Sequence, residues 1–202
     1  MILSLNENKY EFIAYDYEFK KRNIINKFSE RKDKKTLRDI VSSGSSPSTK
    51  YKKAVFNDYA EFLDMQIGKF LLMLKEQGNE FYEDFLLTDY GDGKFCKFNL
   101  KDKDIFYKKG LYIYLVDDEL MYIGSTTDCY YKRINGGYGN ISAAMCYKGR
   151  RSTDCRINHL INEAGSKLVF KAHLMMNNNE IIKTEDALIN KYKRLGFCKW
   201  NK

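Results

Sequence analysis

Two apolar runs separated by only three acidic residues constrain the fold of this 202-residue chain more than any other feature. Residues 111–116 (LYIYLV) and 120–123 (LMYI) are apolar and rich in residue types that favour strands. The spacer between them, residues 117–119, is Asp-Asp-Glu. The pattern therefore predicts an antiparallel hairpin with a short polar turn.

The chain after this hairpin alternates between helical and strand patterns. Residues 130–134 are typical of at least one helical turn. They are followed by a predicted helix, a third strand and a closing helix at residues 152–164, 167–175 and 180–195. We expect residues 105–202 to form an α+β domain in which helices flank a small three-stranded antiparallel sheet.

The first half of the chain, residues 1–104, is predicted to be mainly helical. Apolar residues at steps of three and four predict one amphipathic helix over residues 54–76, and Gly78 is well placed to end it in the left-handed conformation. Residues 42–49 (SSGSSPST) contain the only proline and predict a loop or hinge. Residues 9–19 fit a strand or a helix start.

Charge is distributed unevenly along a chain whose net charge is +8. Residues 18–53 hold twelve basic and four acidic side chains, residues 54–92 hold two and nine, and residues 101–202 hold eighteen and eleven. Two basic stretches thus flank an acidic one, which suits a polyanionic partner contacted by two parts of the molecule. The alternative is that these charges lie on solvent-exposed faces of a lysine-rich protein and bind no polyanion.

Several classes of protein are excluded by composition. With 44% apolar and 15% aromatic residues the chain has enough apolar surface for a core, which excludes global disorder. The sequence has no apolar run of about 18–20 residues and no signal-peptide pattern at its start, so we expect a soluble protein with no membrane partner. Five cysteines without a C-x-x-C pair favour reduced thiols in the cytoplasm, for example of a bacterium or a phage-infected cell.

The hairpin carries two glycine–tyrosine triplets, Gly110-Leu111-Tyr112 and Tyr122-Ile123-Gly124. They are followed by an arginine, by a glutamate that opens an apolar helical run, and by a terminal pair: Arg133, Glu185 and Trp200-Asn201. This series resembles the signature of the GIY-YIG nuclease superfamily, with leucine in place of the usual isoleucine. The resemblance covers roughly residues 105–202 and implies a nuclease domain there.

The resemblance implies a role for each of these side chains. Tyr112 is expected to activate the attacking water, and Tyr122 to orient Tyr112 or the phosphate. Arg133 can bind non-bridging phosphate oxygens with a charge that does not titrate. Glu185 is a carboxylate suited to Mg²⁺, for which Mn²⁺ is a substitute, and Asn201 completes the catalytic set.

The chain departs from the family pattern at two positions. Ser125 stands where some members carry lysine, and Gly137 stands four residues after Arg133, where many members have histidine or tyrosine. Tyr138, one position later, is therefore the candidate for the additional phenol. Each residue taken singly could have a structural role instead. The arginine could form an ion pair, the tyrosines could pack in the core, and the glutamate could interact favourably with the helix dipole.

A basic stretch with interspersed tyrosines covers residues 129–171. It predicts a DNA-binding surface made of lysines and arginines that track phosphates: Lys132, Lys148, Arg150, Arg151 and Arg156. Residues 20–53 are predicted to supply an arm that closes around a duplex. The alternative for residues 148–151 is a solvated loop.

We expect a Mg²⁺-dependent endonuclease that hydrolyses phosphodiester bonds of double-stranded DNA at residues 105–202. Residues 1–104 would supply DNA binding, specificity or dimer contacts. No domain is expected after the catalytic one, which favours a compact type II restriction-like enzyme, with a phage or mobile-element nuclease as the alternative. A homodimer or sequential nicking would explain double-strand cutting. A DNA-binding regulator without turnover is the alternative of a different class, and RNA processing is the third.

Overall fold

The computed structural model describes residues 1–31, 34–42, 49–149 and 152–202, and it shows a mixed α+β fold with antiparallel sheets. The chain divides into two compact units. The first contains Met1–Arg22, Cys96–Asn140 and Leu160–Lys202, and the second contains Asn23–Phe95 and Ile141–His159. Both units are discontinuous, so this division differs from the predicted boundary between residues 104 and 105.

Eight strands are present in the described residues: β1 Ile2–Leu5, β2 Asn8–Glu11, β3 Ile13–Ala14, β4 Tyr17–Ile24, β5 Phe95–Leu100, β6 Gly110–Val116, β7 Glu119–Thr126 and β8 Leu168–Leu174. The helices are α1 Leu37–Ser42, α2 Thr49–Asp58, α3 Ile67–Glu76, a π-helix at Tyr131–Tyr138, α4 Ser152–Ala164 and α5 Asn178–Arg194. Short 3₁₀ segments connect several of them.

The main sheet has four antiparallel strands in the order β3-β8-β6-β7, with the predicted hairpin as β6 and β7. Its turn is tight, because Val116 pairs with Glu119 and the two residues between them, Asp117 and Asp118, have φ of 50° and 63°. Both central residues of a type I′ hairpin turn have positive φ. The sequence-based expectation of three strands misses β3, which is two residues long and pairs with β8.

The two faces of this sheet bury different side chains. Aliphatic residues of β6 and β7 pack with residues of α5 in one core, which includes Leu111, Ile113, Ile123, Ile181 and Leu188. Because side chains alternate along a strand, the tyrosines of the same strands lie on the opposite face. There the rings of Tyr112, Tyr114, Tyr122 and Phe170 contact one another.

The N-terminal residues form strands instead of the predicted helical region. Four strands lie between residues 2 and 24, and β1 pairs with β2 while β4 pairs with β5. The described α-helices of the N-terminal half begin at Leu37. Strands β3 and β4 pair with β8 and β5, which lie far away along the chain, whereas β1 and β2 pair with each other.

The amphipathic helix predicted over residues 54–76 is interrupted. Helix α2 ends at Asp58 and α3 begins at Ile67. Between them the backbone bonds to an earlier segment: Leu37 N donates to Met65 O at 2.9 Å, and Ile67 N donates to Lys35 O at 2.9 Å. These long-range bonds replace helical ones, although the apolar side chains keep the predicted spacing. Gly78 does follow α3 in the left-handed conformation, with φ of 70°.

Two further expectations concern the hinge and the membrane. Of the predicted loop at residues 42–49, residues 43–48 lie outside the described part of the chain. Within the part that is described, no helix combines the length and the apolar character that crossing a bilayer requires.

All five cysteines are described, and each is buried as a thiol.

Candidate active site in the first unit

A buried group of phenols surrounds one guanidinium in the first unit. Tyr112 lies on β6, Tyr122 on β7, and Arg133 and Tyr138 on the π-helix. Arg133 donates from Nε to Tyr112 Oη at 3.1 Å and from Nη2 to Tyr138 Oη at 2.6 Å. Tyr138 Oη is also 3.1 Å from the hydroxyls of Tyr112 and Tyr122. The structure therefore brings together four side chains that are spread over 27 residues of sequence.

The π-helix explains why the additional phenol stands five residues after Arg133. In an α-helix the residues that share a face are three or four apart, whereas the π-helix closes its backbone bonds between residues five apart. Arg133 and Tyr138 therefore lie on one face, with the guanidinium carbon 4.5 Å from the centre of the Tyr138 ring. The wider helix compensates for the extra residue that separates this chain from the spacing expected of the family.

The motif glycines make room for this group. Gly124 pairs with Tyr112 across the hairpin, and a Cβ at Gly124 would lie 2.5 Å from Tyr112 Cζ. Gly110 has φ of 143°, and a Cβ there would lie 2.2 Å from His173 O and 2.8 Å from Tyr130 Oη. All three distances are far below van der Waals contact, so a side chain at either position would displace backbone or a tyrosine.

The buried phenols are hydrogen-bond donors in this state. Tyr112 and Tyr138 are fully buried, and burial is the main cause that raises the pKa of each phenol above its ordinary value. The neighbouring charge of Arg133 opposes this rise in pKa without cancelling it. Tyr112 is therefore protonated at neutral pH.

The carboxylate lies close to this group but is held by a different partner. Glu185 is half-buried on α5 and accepts a hydrogen bond of 2.5 Å from Ser125 Oγ of β7. Burial raises the pKa of Glu185, and Asp186 adds to the rise, while the bond from Ser125 and the charge of Arg133 lower it. Arg133 is thus near enough to Glu185 for their charges to interact.

The donor set at Glu185 fits a weakly held divalent cation. Mg²⁺ keeps several waters and takes one or two carboxylates from the protein, and Glu185 with the Ser125 hydroxyl offers a half-buried oxygen site. Among the described residues, no group of three or more His, Cys, Asp or Glu side chains is arranged to hold a metal ion. A Mg²⁺ or Mn²⁺ ion bound here would be held by the Glu185 carboxylate, beside the Ser125 hydroxyl.

Asn201 does not join the phenol group. Its side-chain Oδ1 accepts from Ile123 N at 3.0 Å, and its Nδ2 donates to Ile123 O at 2.8 Å. Just before it, Trp200 N donates to Met121 O at 2.9 Å. The carboxamide thus replaces a strand partner along the edge strand β7, so Asn201 positions β7, and its expected catalytic role stays a prediction.

The described candidates for DNA binding are divided between the two units. Lys132 is exposed in the first unit and pairs with Asp128 at 2.8 Å. Lys148 and Arg156 belong to the second unit, and Arg156 is only 6% exposed, which contradicts its expected contact with DNA. Arg156 lies in a turn of α4 in which the neighbouring Cys155, Ile157 and Asn158 are also buried. Arg150 and Arg151 lie outside the described residues.

Two further residues belong to the site that were not predicted as part of it. Tyr114 lies two positions after Tyr112 on the same face of β6, and its fully buried hydroxyl has no hydrogen-bond partner among the described residues. Ser125 bonds to Glu185. The alternation of side chains along a strand is the signal that places Tyr114 beside Tyr112, whereas no local pattern points to the partner of Ser125.

Comparisons with known proteins do not assign the chain to a family. No family model matches it, and neither the curated proteins nor the solved structures contain a significant match. Inference about this site therefore depends on the geometry of the phenols, the guanidinium and the carboxylate of this chain.

Proposed function

We propose that the protein is a Mg²⁺-dependent DNA endonuclease of the GIY-YIG type that hydrolyses phosphodiester bonds at the phenol and guanidinium group of the first unit. The observation that carries the proposal is the convergence of Arg133 with three phenols, beside the only carboxylate of the predicted set, Glu185. Phosphodiester hydrolysis requires positive charge at the phosphate, an oriented water and a cation site.

Arg133 would bind the scissile phosphate. A guanidinium has a fixed plane with five N–H donors, and the bonds to Tyr112 and Tyr138 hold that plane in one orientation. Pre-orientation of this kind is what makes a donor effective against charge that develops in the transition state. The phenols therefore act first as positioning groups for Arg133.

Tyr112 would orient the attacking water or a phosphate oxygen through its hydroxyl. Because burial raises the pKa of Tyr112, proton acceptance by this phenol requires additional positive charge brought by the bound substrate and cation. Mg²⁺ at Glu185 would supply charge to the phosphate and lower the pKa of a bound water. Ser125 holds the Glu185 carboxylate in place.

A plasmid assay tests the proposal. Supercoiled DNA is incubated with Mg²⁺ and the wild type, or with Arg133→Ala, Glu185→Ala or Tyr112→Phe, and Asp186→Asn serves as the matched control beside Glu185. We expect cutting by the wild type and the control, and a loss of about 100-fold or more in the other variants, the scale for removing a transition-state donor. Equal cutting by Arg133→Ala and the wild type would refute the assigned site.

The same assay distinguishes between a restriction-type enzyme and a phage or mobile-element nuclease. A compact restriction-type enzyme would cut double-stranded DNA at one short sequence, whereas a phage or mobile-element nuclease would prefer longer sites. Mapping cut ends on a random plasmid library separates the two. A matched RNA duplex tests RNA processing, and a second-order dependence of double-strand cutting on protein concentration would indicate a homodimer in place of sequential nicking.

The burial of the phenols favours a second candidate, a DNA-binding regulator that keeps the fold without turnover. Tyr112 and Tyr138 are fully buried, which is also what a packing core of aromatic residues requires. A gel shift in EDTA together with intact plasmid after prolonged incubation in Mg²⁺ would support this regulator and exclude the nuclease.

A further inference from the structure

Two similar tetrads lie side by side next to the candidate active site. Residues 106–109 are Phe-Tyr-Lys-Lys, and residues 130–133 are Tyr-Tyr-Lys-Arg. Tyr131 N donates to Phe106 O at 3.0 Å, and Tyr130 N donates to Lys108 O at 3.0 Å. The second tetrad ends in Arg133, so the pair is continuous with the proposed phosphate-binding residue.

This pair of tetrads, which we call the aromatic platform, exposes rings on a firmly held backbone. Tyr107 is 85% exposed and Tyr131 is 46% exposed, while the Phe106 ring packs against Tyr131 with ring centres 5.1 Å apart. The buried Tyr130 anchors the platform, because its hydroxyl lies 2.9 Å from Leu111 O and 3.1 Å from His173 O. Exposed aromatic rings on a rigid frame lose little conformational entropy when they bind a ligand.

The charge of the platform selects a polyanion. Its eight residues include four cationic side chains and no acidic one. Exposed aromatic rings next to cationic side chains are the combination that binds single-stranded nucleic acid, because the rings stack on bases and the cations contact phosphates. In an intact duplex both faces of each base are covered by stacking, so an exposed tyrosine reaches a base face only where the base is unpaired.

We propose that the aromatic platform binds unpaired nucleotides that flank the scissile phosphate, with Tyr107 and Tyr131 stacking on bases. This inference rests on the proposed function and deepens it, because it names the substrate class: DNA in which a duplex adjoins an unpaired segment, such as a flap or a frayed end. Fully paired DNA would bind through phosphates alone.

The test uses the full chain in EDTA, so that binding is measured without cleavage. The probe is a duplex with a three-nucleotide flap that contains 2-aminopurine, whose fluorescence falls when the base stacks, and a fully paired duplex is the reference. The variant is Tyr107→Ala with Tyr131→Ala, and the control is Tyr107→Phe with Tyr131→Phe, which keeps both rings. Thermal unfolding of each variant checks that the fold is retained.

We expect the alanine variant to bind the flap probe about tenfold or more weakly for each stacked base that is lost. The quenching of 2-aminopurine fluorescence should be lost as well. The phenylalanine control should keep both the affinity and the quenching of the wild type. Equal affinity of the wild type for flap and paired DNA, or quenching retained in the alanine variant, would overturn the inference. Plasmid cutting without tyrosine-dependent flap binding would leave the nuclease proposal intact. If flap binding depended on the tyrosines and no cutting occurred, the nuclease proposal would be overturned, but the proposal that the aromatic platform binds unpaired nucleotides would be retained.

Discussion

At the scale of single residues, hydroxyl groups in the tyrosine cluster differ in what they contribute. Tyr138 Oη has three partners within the cluster, namely Arg133, Tyr112 and Tyr122. Tyr114 Oη is equally buried but has no hydrogen-bond partner among the described residues. A buried hydroxyl without a partner costs free energy, whereas a bond to a charged group stabilises the fold.

Removing the two hydroxyls should therefore have opposite effects. We expect Tyr114→Phe to be neutral or to raise the free energy of unfolding by about 1 kcal/mol, and Tyr138→Phe to lower it by about 1.5–3 kcal/mol. Thermal unfolding resolves this, because 1 kcal/mol corresponds to roughly 2–4 °C in a chain of this size. A Tyr114→Phe variant as destabilised as Tyr138→Phe would show that Tyr114 binds a buried water.

The ionisation of Glu185 should make stability depend on pH. Its pKa is raised chiefly by burial, so the folded state disfavours the ionised carboxylate and stability falls as pH rises through that pKa. We expect Glu185→Gln, which still accepts the bond from Ser125, to match the wild type near pH 4 and to be more stable at pH 8. Melting temperatures at both pH values measure this, and a wild type that gains stability over the variant at pH 8 would contradict it.

At the scale of elements, the π-helix at Tyr131–Tyr138 decides the register of the site. It contains Gly136 and Gly137, and a Cβ at Gly136 would meet no atom within 4 Å, so this part of the helix is not constrained by packing. One residue fewer would return the turn to α-helical spacing, in which residues four apart share a face.

Deletion of Gly137 should accordingly be tolerated. It would place the phenol of Tyr138 four residues after Arg133 in an α-helix, and we expect the Arg133 to phenol contacts, the melting temperature and any plasmid cutting to be largely retained. Insertion of a glycine after Gly137 is the matched control and should abolish cutting, because neither helix type aligns residues six apart. If the deletion variant lost cutting while the insertion variant cut like the wild type, the π-helix would not set the alignment of Arg133 with the phenol in this way.

At the scale of the whole molecule, neither compact unit is a continuous piece of chain. The core beneath the main sheet includes Leu3, Tyr10 and Phe12 from the N-terminal strands, and β3 pairs with β8. The segment 141–159, which lies between the π-helix and the end of α4 in sequence, belongs to the other unit.

A fragment of residues 105–202 should therefore not fold by itself. It would lack β1 to β5 and the apolar side chains that these strands bury, and loss of one large buried residue alone costs about 2–5 kcal/mol. We expect the full chain to unfold in a cooperative transition and the fragment to show none, as measured by circular dichroism during heating. A cooperative transition in the fragment would show that residues 105–202 fold autonomously.

Local patterns were sufficient for the elements that depend on neighbouring residues. The two apolar, strand-favouring runs and the acidic turn of residues 111–123 predict β6 and β7, and apolar spacing predicts α4 and α5 close to their observed bounds. The alternation of side chains along these strands places the tyrosines on one face. Ordered motif residues also singled out Tyr112, Arg133 and Tyr138, which lie together.

By itself, the sequence determined the hairpin, because strand-favouring residue types and turn conformation are local properties. Only the tertiary structure decided the interruption of the helix at residues 59–66, the fourth strand, the burial of Arg156 and the backbone role of Asn201. The interruption, the fourth strand and the contacts of Asn201 depend on partners distant in sequence, and periodicity within a short window carries no information about such partners.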